Sequence, residues 1–190
     1  GAVMGAKRLK AVVVRGTKSP KPAHPEEFRG LVKRLKELQE ANPGIVWFGQ
    51  YGTAGVLAIQ DKMGGQPTHN YTEGTFAQSK DIDGAVLAKT ILKERDTCYA
   101  CVVKCKRTVE VRDPDLTVDP IYGGPEYETL TFFGSMCGVG DLKLLSKASA
   151  DANMYGMDTI SAGATIAWAI EAKEKGLLDD KGLGLAYGDG

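Results

Sequence analysis

A mainly α fold, opened by a short strand and interrupted by a small hairpin, is what the sequence predicts, and three observations carry that expectation. Apolar residues recur at helical spacing in several windows. Residues that cap helix N-termini stand before those windows, and glycines close them. The one β-branched run, Lys10 to Arg15 (KAVVVR), is closed by Gly16 and has no evident pairing partner in the chain, so its sheet is expected to lie elsewhere.

Thr17 to His24 is a Lys/Pro linker, and His24 belongs to it. Pro25 then opens a helix at its first position, with Glu26 and Glu27 complementing the dipole. Phe28, Leu31, Val32, Leu35 and Leu38 form its apolar face, and Asn42-Pro43-Gly44 stops it. Trp47 to Lys62 reads as a second helix, entered through Tyr51-Gly52-Thr53, with Val56, Leu57 and Ile59 buried and Gly64-Gly65 as its end.

Gln66 to Gln78 has no periodicity and reads as an ordered, functional loop. Helical spacing returns from Ile82 to Leu92 and delivers the chain to Cys98. Thr108 to Arg112 and Leu116 to Val118 flank Asp113-Pro114-Asp115 as a small hairpin. A helix is expected from Glu126 to Met136, a second capped by Asp141 and ended by Gly156, and a third capped by Asp158 that runs to about Lys175. In the second, Leu142, Leu145 and Ala152 face inward; in the third, Ile160, Ile166, Ala167 and Ile170 do.

The 190 residues suffice for a real core. With 24 acidic and 24 basic residues interspersed, no field favours nucleic acid or an anionic membrane. The apolar runs are too short to span a bilayer and the N-terminus lacks a signal-peptide pattern, so a cytoplasmic setting is expected. The opening residues read as an interior piece of a longer protein.

Of four cysteines, three form C-x-x-C-x-x-x-C at Cys98, Cys101 and Cys105. One tight loop can thereby point three thiolates at a single soft metal centre, where a disulfide framework would spread them along the chain. A compact run with a distant fourth ligand favours an iron–sulfur cluster. Zinc is the alternative, but its paired C-x-x-C knuckle is not repeated; three unligated cysteines are the third reading. Lys104, Lys106 and Arg107 would offset the charge of a thiolate-bound cluster. Cys137, in an apolar segment at a predicted helix end, is read as a buried hydrophobe rather than a fourth ligand.

The cysteine run has company. The opening GAVMGAKRLKAVVVRG, the loop NYTEG at Asn70 to Gly74, GPEYET at Gly124 to Thr129 and NMYGMDTIS at Asn153 to Ser161 stand in the order found in the aldehyde ferredoxin oxidoreductase family, which the whole chain resembles. That resemblance implies a β-rich N-terminal cofactor domain ending within residues 1–20, linker included, and a helical domain over 21–190. It also implies a parent enzyme several-fold longer that oxidises aldehydes to carboxylic acids at a tungsten bis-pterin of the molybdopterin type. Electrons would pass through a 4Fe-4S cluster to ferredoxin.

By the same resemblance, Cys98, Cys101 and Cys105 match three cluster ligands, the fourth lying in a domain beyond this chain. Asn153, Gly156 and Asp158 match the pterin motif D-x-x-G-L-(D/C), with Asn153 in place of its first Asp. Glu128 matches a glutamate beside the metal and is the expected catalytic proton carrier, while Glu126 is expected to support structure. Lys147-Ala148-Ser149-Ala150 lacks the E-x-x-H by which some members bridge subunits through a metal. His69 could line the substrate channel, although a lone loop histidine is more often structural. Without its other domains the chain is expected to be inactive. An iron–sulfur electron-transfer or interaction module without tungsten, and a zinc-stabilised helical domain, are the competing functions.

Overall fold

The computed structural model describes residues 2–188; Gly1 and Asp189-Gly190, the outer limits of the expected two-part division, lie outside them. After a five-residue helix α1 (Ala2–Ala6), the segment 9–22 runs without regular structure and exposed. The strand expected at Lys10 to Arg15 is therefore not formed, and Val13 stands 91% exposed. Strand preference is a preference for packing on a neighbour, and no described strand lies alongside this run to supply it.

Helix α2 (Pro25–Glu40) begins at the expected proline, but its apolar face is exposed from Phe28 to Leu38. Asn42-Pro43 does more than stop it. The Asn42 carboxamide accepts from Ile45 N at 3.1 Å and caps α3 (Pro43–Tyr51), with Pro43 in the first turn. The single helix expected over Trp47 to Lys62 is broken at Gly52, whose φ of +65° belongs to glycine; a 3-10 turn (Thr53–Gly55) leads to α4 (Val56–Lys62). Leu57 is buried as expected, whereas Ile59 is exposed.

Asp83 caps α5 (Gly84–Thr90) through two backbone N–H groups. The chain then leaves the helix earlier than periodicity suggests and enters β1 (Leu92–Asp96), which pairs antiparallel with β2 (Lys106–Val109). The expected hairpin is present as β3 (Val111–Arg112) on β4 (Thr117–Val118), turning through Asp113-Pro114-Asp115. Helices thus dominate, with two small antiparallel sheets among the described residues.

The expected Glu126 to Met136 helix is not regular. A short α turn α6 (Tyr127–Thr129) widens into a π turn (Leu130–Gly134) and tightens to a 3-10 turn (Ser135–Cys137). Its hydroxyls explain part of this, because Ser135 Oγ donates to Pro67 O at 2.6 Å and Gln66 Nε2 donates to Thr131 Oγ1 and Ser135 Oγ, tying the segment to the 66–74 loop. Asp141 caps α7 (Leu142–Tyr155), and Asp158 caps α8 (Thr159–Glu174), as the sequence predicts.

The main core gathers Leu57, Ile82, Leu87, Val109, Leu130 and Leu145, all essentially inaccessible. A smaller one joins Met136, Cys137, Ala167 and Ile170, with Phe132 packed against it. Ile160 and Ile166, expected inside, are about two-fifths exposed, because α8 turns chiefly its Ala167–Ile170 side to the core. Both cores rest against the irregular 127–137 segment, which therefore fixes where the polar groups around it point.

Candidate functional site

The cysteine loop connects β1 to β2 and is set by local backbone chemistry. Cys101 N donates to Cys98 O at 3.1 Å, and Thr97 Oγ1 donates to the Cys98 and Cys101 carbonyls at 3.1 and 2.6 Å. Ala100 and Lys104 both adopt φ of +55°, so the loop reverses direction beside Cys101 and Cys105.

Helix α3 is the seat of this loop. A Cβ at Gly49 would lie 2.5 Å from Val103 O, and one at Gly52 would lie 2.6 Å from Cys105 O, so only glycine admits the loop at this distance. Arg107 locks the contact. Its guanidinium is buried and donates to Gln50 O (2.7 Å), Gly49 O (2.9 Å) and Lys104 O (2.5 Å), thereby also capping the α3 C-terminus. Burial, then the neighbouring Arg95, lowers its pKa, while Glu126 and Cys105 act the other way.

All four cysteines are free thiols: Cys98 is exposed, Cys101 and Cys105 are half-buried, and Cys137 is buried. Among the described residues no three His, Cys, Asp or Glu side chains meet in a metal-holding arrangement, so the structure puts Cys98, Cys101 and Cys105 on one loop without drawing them to one point. The donor set nonetheless fits a soft, thiolate-seeking group: three sulfurs, no competing oxygen ligand within the run, and Lys104, Lys106 and Arg107 around it.

The second cluster lies where α6, α7 and α8 meet. Thr129 Oγ1 and Thr159 Oγ1 are hydrogen-bonded at 3.0 Å, which places their chain neighbours Glu128 and Asp158, thirty positions apart in sequence, on adjoining helix starts. Both carboxylates are exposed. Asp158 accepts from Ser161 N at 2.7 Å, and these cap bonds to Ser161 hold its pKa below the usual carboxylate value. Gly156 takes φ of +68° between the helices, and a Cβ there would meet nothing within 4 Å. Asn153 Nδ2 donates to Tyr122 O at 3.0 Å and so braces the segment leading to GPEYET. Around this face Met154, Tyr155, Met157 and Ile160 stand exposed.

The sequence suggests a supporting role for Glu126, yet it is a carboxylate whose pKa is shifted upward, against the downward shifts of Asp96, Glu110, Asp158, Glu171 and Asp180. Burial raises its pKa, and Glu128 adds to the rise, against a hydrogen bond from Thr53 Oγ1 and the charges of Arg107 and Lys106. Thr53 Oγ1 in turn accepts from Tyr127 N at 3.0 Å. The two-residue spacing of the glutamates is visible in the sequence; the desolvation of the first is not.

His69 is engaged rather than free. Its Nδ1 lies 2.9 Å from Glu73 Oε1 and its ring packs at 4.6 Å on Tyr187.

Residues 30–190 match the family model described as aldehyde ferredoxin oxidoreductase, domains 2 and 3. The chain belongs to the aldehyde ferredoxin oxidoreductase family. It is 37% identical over 188 residues to the tungsten-containing aldehyde ferredoxin oxidoreductase of Thermococcus kodakarensis and 36% identical to that of Pyrococcus abyssi, in each case over 97% of this chain and 30% of the relative. Among solved structures, the active-site complex of benzoyl coenzyme A reductase with a bound dienoyl-CoA aligns with a TM-score of 0.67 at 28% identity, over 96% of this chain and 29% of that one. The chain thus spans about 30% of the length of these oxidoreductases of the family. No described helix is long and apolar enough to cross a membrane.

Proposed function

We propose that this chain is the part of an aldehyde-oxidising tungsten enzyme that holds one side of its iron–sulfur cluster and one side of its pterin. The observation that supports the reading is the Thr129–Thr159 hydrogen bond, which sets Glu128 beside the Asp158 helix start. Residues 1–20 would close a β-rich domain and 21–190 form the helical one.

Cys98, Cys101 and Cys105 would supply three thiolates to a 4Fe-4S cluster, with the fourth from further polypeptide. Asp158 would accept hydrogen bonds from pterin N–H groups, Gly156 would leave the approach open, and Asn153 would offer a neutral contact in the place of a charged one. When bound, the tungsten bis-pterin supplies the two-electron acceptor. Oxidation of an aldehyde to an acid takes its oxygen from water and releases two electrons and two protons; Glu128, exposed at its helix start, takes a proton at a carboxylate oxygen. Electrons would leave through the cluster to ferredoxin in the cytoplasm. The 190 residues alone would not turn over.

Likeness to the reductase complex carries a second reading, reduction of an aromatic thioester, but the identity to the aldehyde oxidoreductases is higher. The natural full-length protein, produced with tungstate and iron, is expected to reduce a viologen dye with acetaldehyde, and Glu128→Gln to abolish this while metal content stays unchanged. Undiminished dye reduction in that variant removes the proton role. Protein purified with zinc alone removes the whole reading.

A further inference from the structure

His69, Asn70 and Tyr71 adopt φ of +45°, +51° and +66° in succession. One left-handed residue without glycine is uncommon, and three in a row persist only where the surroundings hold them. Here the holding groups are explicit. His69 N donates to Ser135 O at 3.0 Å and Asn70 N to Met136 O at 3.2 Å, while the Asn70 carboxamide donates to Glu171. The loop is thus fastened to the 3-10 turn that follows the π turn, itself a rare geometry that concentrates at functional sites.

Two irregular segments therefore constrain each other, and what they present is Tyr71. Tyr71 is 63% exposed, and its ring meets Phe132 of the π turn edge-on, with centroids 6.5 Å apart and planes at 70°. Phe132 follows Glu128 by four positions in the same helical segment, which sets the Tyr71–Phe132 pair on the side of that segment that carries Glu128. The half-buried Tyr127, next to Glu128 in sequence, has a pKa raised first by burial, with Glu128 and Tyr71 adding to the rise. None of the bonds that hold this loop requires the Tyr71 side chain to be aromatic.

We propose that Tyr71, with Phe132, forms an aromatic wall on the substrate side of Glu128 and selects aldehydes that carry a ring. This rests on the reading of Glu128 given under Proposed function. Tyr71 acts on specificity and not on the proton transfer. An aryl group can lie against the exposed Tyr71 ring in the offset or edge-on arrangements that aromatic pairs prefer, and a two-carbon aldehyde has no ring to lay on it.

The test uses the natural full-length protein with benzaldehyde, acetaldehyde and the product-like anion benzoate. In Tyr71→Ala the KM for benzaldehyde should rise about tenfold, with acetaldehyde changed by less than about twofold, and calorimetric benzoate affinity should fall about tenfold. Tyr71→Phe should retain all three values. Tyr71→Leu, which keeps bulk, replaces Tyr71→Ala if the latter does not fold. Equal losses for both aldehydes, or unchanged benzoate affinity, would overturn the proposal. If the native protein oxidises neither aldehyde, the reading of Glu128 fails, and benzoate calorimetry alone decides for or against Tyr71.

Discussion

Asn153 Nδ2 donates to the carbonyl oxygen of Tyr122 at 3.0 Å, joining the last turn of α7 to the turn that precedes GPEYET. The Asn153 amide therefore serves as a brace between the two halves of the helix-start cluster.

An aspartate at that position cannot donate. Asn153→Asp would set carboxylate oxygens against a carbonyl oxygen and is expected to cost about 1 kcal/mol in urea unfolding at neutral pH, with Asn153→Ala costing no more. Equal stability of Asn153→Asp and the native chain would show that the brace contributes nothing.

Helix α3 should be intolerant of methyl groups where the cysteine loop rests. Gly49→Ala places a Cβ 2.5 Å from a backbone oxygen and is expected to cost roughly 1–3 kcal/mol. Gly52→Ala should cost about 1 kcal/mol more because of its left-handed φ. Both should lower the iron retained after anaerobic reconstitution, measured per chain. Gly64→Ala, also left-handed but with open space around it, separates conformational cost from contact with the loop.

Glu126 makes a pH prediction with a definite sign. Its folded pKa lies above the ordinary 4.5, so the folded state holds a proton that the unfolded chain releases. Stability contributed by this group is therefore greatest below the ordinary value and declines as pH rises through the elevated one. Glu126→Gln should flatten the unfolding free energy across that window and leave the acid limb below it unchanged. A curve that keeps the native slope would place the perturbed proton elsewhere.

Burial pushes the Cys137 thiol up to about 11, and its sulfur lies 3.3 Å from Phe132 O. Iodoacetamide at pH 8 should accordingly label Cys98 in the native chain and leave Cys137 untouched until denaturant is added, as peptide mass mapping would show. Labelling of Cys137 at the same rate as Cys98 would contradict the burial.

What the sequence made legible was local. Asp141, Asp158 and Gly156 act through bonds within a few residues, and each occupies the cap that its side chain and backbone freedom suggest. Lys10 to Arg15 misled because β-branched composition describes a fit to a neighbouring strand rather than a property of the run itself. The break at Gly52, the clamp by Arg107 and the desolvation of Glu126 all depend on partners about fifty or more positions away, which no window of sequence can display. Cys98, Cys101 and Cys105 share one loop, as a spacing of three and four residues requires, but spacing says nothing of whether that loop turns their sulfurs to one point, and among the described residues it does not.

The widened turn at Leu130–Gly134 makes chain length there a matter of phase. A ring closed over five residues instead of four carries one more residue than regular α geometry, so removing one would straighten the helix and swing everything beyond it by about 100° around the axis. Met136 and Cys137 would rotate out of the smaller core together, and no single compensating substitution could return both. Insertions and deletions are thus expected to be tolerated in the linker before Pro25 and rejected between Glu128 and Gly138, whatever residue is added or lost.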